Sequence, residues 1–473
     1  MKPVIEQNDV LEWAKTYDGP KFHALLCDPP YELGFMGRQW DKSGIAFNSE
    51  TWAALAEHLH PGAFGMAFAS TRGWHRMAVA IEDAGLIIHP VVALWGFGSG
   101  FPKATRIDTQ IDKAAGAERE IVGVNPNSRP NMVGVSAAVL SPQVDAPITA
   151  PATPLAATWE GHRYGLQAMK PAFEPCIVFQ KPYKGKPVDC ITSTGAGALW
   201  IDGARIGTRT GNESGWSKTG SKASENRAMS GANYDRPPKD EAGTGRWPSN
   251  IILVHTPDCT SDNCVEGCAV QRLGEQSGES VSSDRPIYHR EFKSVAKGRE
   301  LPHVTYGHSD SGTAARYFFQ AQYDALLDAD TVTYCAKASR KERDAGLEGV
   351  EPKQKVFNGQ SDAPAGCAPG SVEDKFSTSP ARNPHPTVKP ISLIEHLTTL
   401  LLPPPEYGPR RILIPFSGSG SECIGAMRAG WEEVLGIERE EEYADIARRR
   451  IDYWFNKQSE PAETVQPDLF DGR

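Results

Sequence analysis

The chain has 473 residues, a net charge of −9, 39% hydrophobic residues and 11 tryptophans, enough for a large core, while 45 glycines and 37 prolines announce long loops. No apolar run approaches the roughly 18 residues a membrane helix needs, and the opening MKPVIEQNDV lacks a basic segment followed by an apolar one, so a soluble cytoplasmic protein with no membrane contact is expected. The acidic balance gives bulk charge no part in nucleic-acid binding, though a local basic face can still act, and nine cysteines, an odd number, fit reduced thiols better than a disulfide framework.

The first hundred residues alternate strand and helix signals. Phe22 to Pro30 reads as a buried strand ending in a turn, and Thr51 to His60 has helical spacing that Pro61 and Gly62 stop. Ala63 to Ser70 is a second buried strand, Arg72 to Gly85 a second helix ended by its glycine, and Leu86 to Phe97 a third strand. This rhythm predicts a mostly parallel sheet covered by helices. From Gly98 the rhythm fails: residues 124–156 look like a long loop, Glu174 to Pro182 is one more strand, and 203–250 and 350–384 are polar with little periodicity. Regular signals then return as a helix from Ile391 to Leu402, a strand from Arg410 to Phe416 and a helix from Ser421 to Gly430. A strand from Glu433 to Glu438 and a helix from Glu441 to Trp454 close the series. No internal repeat is present. The simplest organisation is one α/β domain made from both chain ends, residues 1–184 and 385–456. Between them lie an insertion at 185–335 and an irregular connection at 336–384, and a flexible tail follows at 457–473.

Two motifs carry chemistry. The strand ending at Phe416 runs through Gly418-Ser419-Gly420 directly into a helix, and glycines there let the backbone turn tightly and approach a ligand. Eighteen residues beyond Gly420, at the end of the next strand, Glu438 can accept hydrogen bonds from both ribose hydroxyls of an adenosine-containing cofactor. Such a turn also serves plain packing, and NAD is a rival ligand. However, the dinucleotide fingerprint wants a third glycine where this chain has Cys423, and it opens a fold rather than closing it. The first strand ends in Asp28-Pro29-Pro30-Tyr31. Proline fixes φ and removes N–H donors, so Asp28 and the nearby carbonyls present acceptors, which suits a substrate NH2, while Tyr31 offers a flat face to a base. A tight turn after a strand is the plainer reading of the same residues.

Together, and in this order, the motifs resemble the DNA amino-methyltransferases, specifically the permuted group with the catalytic motif first and the cofactor motif last. The family's tetrapeptide stands as DPPY (Asp28, Pro29, Pro30, Tyr31) and its FxGxG motif as Phe416, Ser417, Gly418, Ser419 and Gly420. Its lysine-containing segment matches HPTVKP, His385 to Pro390, and its acidic ribose ligand matches Glu438. The likeness spans about residues 20–100 and 383–455. One position departs: the family usually carries an acid two places before the phenylalanine, where Ile414 stands, which shifts expected contacts with the cofactor's methionine part to Thr387 and Lys389. The resemblance implies a Rossmann-like methyltransferase sheet, S-adenosyl-L-methionine as cofactor, double-stranded DNA as partner, and a bacterial or phage restriction-modification setting. It also implies base flipping with direct methyl transfer and no catalytic metal. Asp28 and the Pro29 carbonyl would hold the target amino group, and Tyr31 would stack on the base. An aspartate first in the tetrapeptide is commoner in that family with adenine and a serine with cytosine, so adenine N6 is expected and cytosine N4 is the alternative. Phe35, Met36 and Trp40 should discriminate between them. RNA and protein methyltransferases share such a pocket but place the cofactor motif first, and a non-catalytic DNA-binding relic fits poorly with intact DPPY and FSGSG.

The insertion is the expected target-recognition region. Gly215 to Lys239 mixes Lys and Arg with Trp, Tyr, Asn and Ser, and Arg285, Arg290, Lys293, Lys297 and Arg299 outnumber Glu291 and Glu300, although solvated loops would read the same. His255, Cys259, Cys264 and Cys268 put four candidate ligands for a structural zinc in fourteen residues, without a tight C-x2-C knuckle; small buried cysteines are the alternative. Glu440, Glu441 and Glu442 open the last helix and suit its positive end. Gln466 to Phe470 resembles the short peptide that binds bacterial sliding clamps, a five-residue match that also arises by chance.

Overall fold

The computed structural model describes residues 1–33, 39–97, 102–125, 146–206, 247–254, 259, 264, 268–281, 287–289, 303–305, 311–321, 338, 340–352, 356–358, 375–377 and 381–459. Its frame is a mixed α/β sheet of ten strands: β1 (Val4–Gln7), β2 (Phe22–Cys27), β3 (Leu59–Phe68), β4 (Ile87–Ile88), β5 (Ala93–Gly96), β6 (Phe173–Gln180), β7 (Ile251–Val254), β8 (Phe319–Ala321), β9 (Arg411–Pro415) and β10 (Glu433–Glu438). The helices that matter for the site are α1 (Val10–Thr16), α2 (Ser49–Glu57), α3 (Trp74–Asp83), α4 (Ile107–Ala114), α5 (Ala269–Ser277), α6 (Ile391–Leu401), α7 (Ser421–Arg428) and α8 (Glu441–Ser459). Among the described residues no helix is long and apolar enough to cross a membrane.

Strand order is β1-β10-β9-β2-β3-β6-β5-β7-β8, with β4 also on β6. Strands β1, β10, β9, β2 and β3 run parallel, β6 is antiparallel to β3, β4 and β5, and β5, β7 and β8 run parallel again. The two chain ends therefore share one sheet, with β9 seated between β10 and β2. Period-two alternation explains its two-sided core. Ala24 and Leu26 of β2, with Ile412 and Ile414 of β9, face the layer of α6, α7 and α8, whereas Leu25, Cys27 and Leu413 face α1, α2 and α3. Trp13, Trp52, Trp95 and Trp431 are at most 2% exposed, each a burial worth about 2–3 kcal/mol before entropy is counted.

Several elements differ from the sequence reading. The helix expected to reach His60 ends at Glu57, because Leu59 is fully buried against Phe22 and joins β3. Pro61 and Gly62 lie inside β3, where the register jumps from Phe22↔Leu59 to Ala24↔Phe64 and Gly62 takes φ +81°. The single strand expected over Leu86 to Phe97 is two, β4 and β5, since Pro90 has no N–H for a ladder. The expected long loop at 124–156 begins and ends in a hairpin, Ile121–Asn125 with Ala146–Thr149. Polar burial holds this excursion: Asp108 and Asp112 of α4 are fully buried, both paired with Arg119, and Asp112 also accepts from Ala152 N, Thr153 N and Thr153 Oγ1. Two strands from the segment read as an insertion, β7 and β8, extend the main sheet beyond β5.

Candidate functional site

Parallel β2, β9 and β10 end along one edge of the sheet, and ligands of open α/β sheets bind at that edge. Register fixes the meeting: Ala24 pairs with Ile412, Leu25 with Leu413, and Pro415 with Ile437. The DPPY turn after β2, the FSGSG turn after β9 and Glu438 closing β10 consequently line one cavity of about 260 Å3. Asp28, Pro29, Pro30, Tyr31, Phe416, Ser417, Gly418, Ser419, Glu438 and Thr387 all line it, as do Trp40, His385 and Tyr443.

The glycine turn is built by conformation and by packing. Phe416 (φ +60°), Gly418 (φ +50°) and Gly420 (φ +81°) all lie in the left-handed region. A Cβ on Gly418 would meet the His385 ring at 2.8 Å, and one on Gly420 would meet Ala447 of α8 at 3.0 Å. Gly420 therefore serves the packing of α7 on α8, while Gly418 opens the wall beside His385. Beneath the turn, Arg450 is fully buried and donates from Nη1 to Ser419 O at 2.6 Å and to Ser419 Oγ and Ser421 Oγ at 3.1 Å. Glu438 closes the loop from above, accepting from Gly418 N and Glu440 N at 2.8 Å each. Burial pushes its carboxyl up to about 7, and the two backbone donors only partly offset that.

The DPPY end rests on Lys389. Its Nζ lies 2.7 Å from Asp28 Oδ2, 3.1 Å from Tyr31 Oη and 3.4 Å from Glu174 Oε2, above the Phe68 ring at 4.8 Å. Burial opposes its charge, but Asp28 and then Glu174 outweigh burial and hold its pKa above the ordinary value. Tyr31 Oη donates to Glu174 Oε2 at 3.0 Å, so the ring plane is fixed from two sides. Lys389, which the resemblance had put beside the cofactor, spends its ammonium on Asp28, Tyr31 and Glu174 at the DPPY end. Thr387, the other expected contact, does line the cavity.

Three buried polar atoms at this cavity have no hydrogen-bond partner among the described residues: Asp28 Oδ1, Trp40 Nε1 and Ser417 Oγ. An unpaired buried acceptor costs about 1–3 kcal/mol, which a ligand donor would recover. The lining is also acidic, with Asp9, Asp41, Glu174, Glu422 and Glu440 beside Asp28 and Glu438, against Arg439 as the lining cation. Burial raises the Glu422 carboxyl, with Asp28 adding to it. A cavity so charged disfavours a pyrophosphate and favours a cationic ligand. An aromatic wall completes it: Trp40 and His385 stack at 6.4 Å and 12°, and Tyr443 meets His385 edge-on at 4.6 Å.

Sequence reasoning missed Asp9, Glu174, Glu422 and Arg450. Asp9 caps α1, its Oδ1 accepting from Leu11 N at 2.9 Å. Glu174 stands in the sequence only as an acid near the start of an apolar strand, with nothing local to mark its reach to Lys389. Several expectations lie outside the described residues: His255, Phe35, Met36, Gly215 to Lys239, Arg285, Arg290, Lys293, Lys297, Arg299 and the tail peptide Gln466 to Phe470. The cysteines Cys259, Cys264 and Cys268 are brought together, with their Sγ atoms all within 4.8 Å of one another.

No family model and no curated protein matches the chain. Solved structures do. The complex of M1.HpyAVI with SAM is 12% identical at a TM-score of 0.34, over 95% of this chain and 99% of that one. TTHA0409 of Thermus thermophilus with S-adenosyl-L-methionine is 11% identical at 0.31, over 95% and 93%. The PvuII DNA methyltransferase, cytosine-N4-specific, is 9% identical at 0.36, over 97% and 92%. Superpositions at this level leave function to the site's own chemistry.

Proposed function

We propose that the chain is an S-adenosyl-L-methionine-dependent DNA methyltransferase acting on an exocyclic amino group, adenine N6 before cytosine N4, within a specific sequence. The observation that carries this reading is the bare Asp28 Oδ1, a buried acceptor on the same cavity as the glycine turn and Glu438. It lacks the hydrogen-bond donor that an amino group supplies.

The residues present suit the cofactor. Glu438 and the Gly418 turn fit the adenosine ribose, and the acidic lining fits a sulfonium and an ammonium. When bound, the cofactor supplies an electrophilic methyl group. Asp28 then acts by position. With Lys389 on Oδ2, its Oδ1 holds the amino group and steers the nitrogen lone pair toward the methyl carbon. That nitrogen would take the methyl group from the bound cofactor, which would leave as the thioether, and the proton shed by the nitrogen would pass to solvent. Tyr31, its hydroxyl tied to Glu174 and Lys389, presents a fixed ring face to a flipped base. Trp40 on the cavity wall is placed to sense base width. Residues within 185–335 that lie outside the main sheet are assigned to target recognition, and 385–456 to cofactor binding.

Replacing Asp28 by Ala tests the reading. Methyl transfer to DNA should fall by at least about 100-fold while calorimetry finds cofactor affinity nearly unchanged. Transfer at the unaltered rate would remove Asp28 from the chemistry.

A further inference from the structure

A second cluster of reactive side chains lies away from the cavity, after the sheet strand β7. Cys259 and Cys264 are half-buried in the segment that follows β7, and fully buried Cys268 caps the N-terminus of α5. Their three Sγ atoms lie within 4.8 Å of one another. Around them pack Leu253 of β7, Val270 and Leu273 of α5, and Ala315.

We propose that Cys259, Cys264 and Cys268 bind one zinc ion as thiolates, a structural site that ties β7 to α5. The geometry is already close to what the metal needs. Zinc–sulfur bonds of about 2.3 Å in a tetrahedron separate sulfurs by about 3.8 Å, within rotamer adjustment of the cluster. A disulfide would bond only two of the three sulfurs and strand the third among apolar neighbours. Zinc uses all three and leaves one tetrahedral position for a further donor. Each thiol loses its proton to solvent as its sulfur–zinc bond forms, so one Zn2+ replaces three protons with no change of oxidation state. The helix end at Cys268 favours the thiolate once the ion is present. The ion's place is structural: β7 stands beyond β5, with β6 and β3 separating it from β2 and β9, whose turns line the cavity.

The test is elemental analysis of the full-length chain, purified without chelator from zinc-supplemented medium. Close to one zinc per chain is expected, released when a mercurial blocks the thiols and captured by a chromogenic chelator. The Cys264→Ser variant should lose most of that zinc. If that variant does not fold, cadmium exchanged into the wild-type chain should give a sulfur-to-metal ultraviolet band. A wild-type chain with far less than one zinc and three freely alkylated thiols overturns the site. So does full zinc content in the chain with all three cysteines changed to serine.

Discussion

At the scale of single residues, the site is governed by how buried charges are balanced. Lys389 is 3% exposed and sits between Asp28 and Glu174, so it is the cation that faces two carboxylates beside a low-dielectric wall. Removing one partner of such a group costs about 3–5 kcal/mol, because the remaining charges are left uncompensated. Lys389→Met should therefore lower unfolding free energy by that amount in urea titration and depress kcat more than the KM for cofactor. Lys389→Arg should restore part of both. Glu438 makes a prediction about pH. Its folded carboxyl sits at about 7 against 4.5 in the unfolded chain, so the native state holds the extra proton between those values. Stability from this group is therefore full below about pH 4.5 and is lost as pH rises toward 7. Urea midpoints across that range should fall more steeply for the wild type than for Glu438→Gln, and equal slopes would refute the assignment. Cofactor affinity should move the opposite way, since the ionised carboxylate is the better acceptor for ribose hydroxyls. The ends of this site were legible in the sequence because DPPY and FSGSG are contiguous. Glu174 and Arg450 were not, since nothing local tells that an acid opening a strand reaches Lys389, or that one arginine of an RRR run points inward.

At the scale of elements, β2, β9 and β10 were legible because burial on both faces leaves near-continuous apolar runs. The segment from residue 103 to 167 was not. Among its described residues, Asp108 and Asp112 are held by arginines and backbone donors, and polar burial leaves no hydrophobic period to read. The α7–α8 packing supplies the element-scale prediction. Gly420 combines φ +81° with a Cβ position 3.0 Å from Ala447. Gly420→Ala should thus cost about 1–2 kcal/mol for the left-handed backbone, plus the displacement of α8. Thermal unfolding should show a lower Tm, and calorimetry a weaker cofactor affinity, because the turn that carries Gly418 moves with Gly420. An unchanged Tm would mean that α8 yields freely, contrary to the burial of Ala447.

At the scale of the whole molecule, the proposed reaction depends on the two chain ends being interleaved in one sheet. With β9 between β10 and β2, the glycine turn and the DPPY turn, nearly four hundred positions apart, open onto the same cavity. The order of the motifs along the chain made this joining expected, but not that β7 and β8 would lengthen the same sheet from the middle of the chain. The central claim is that this shared cavity moves a methyl group to an exocyclic nitrogen of DNA. Incubating the purified chain with S-adenosyl-L-methionine and unmethylated DNA, digesting to nucleosides and weighing them by mass spectrometry tests it most directly. N6-methyldeoxyadenosine is the expected product. N4-methyldeoxycytidine would keep the mechanism and replace the base. DNA carrying no methylated amino group, across substrates covering all short sequence contexts, would contradict the claim.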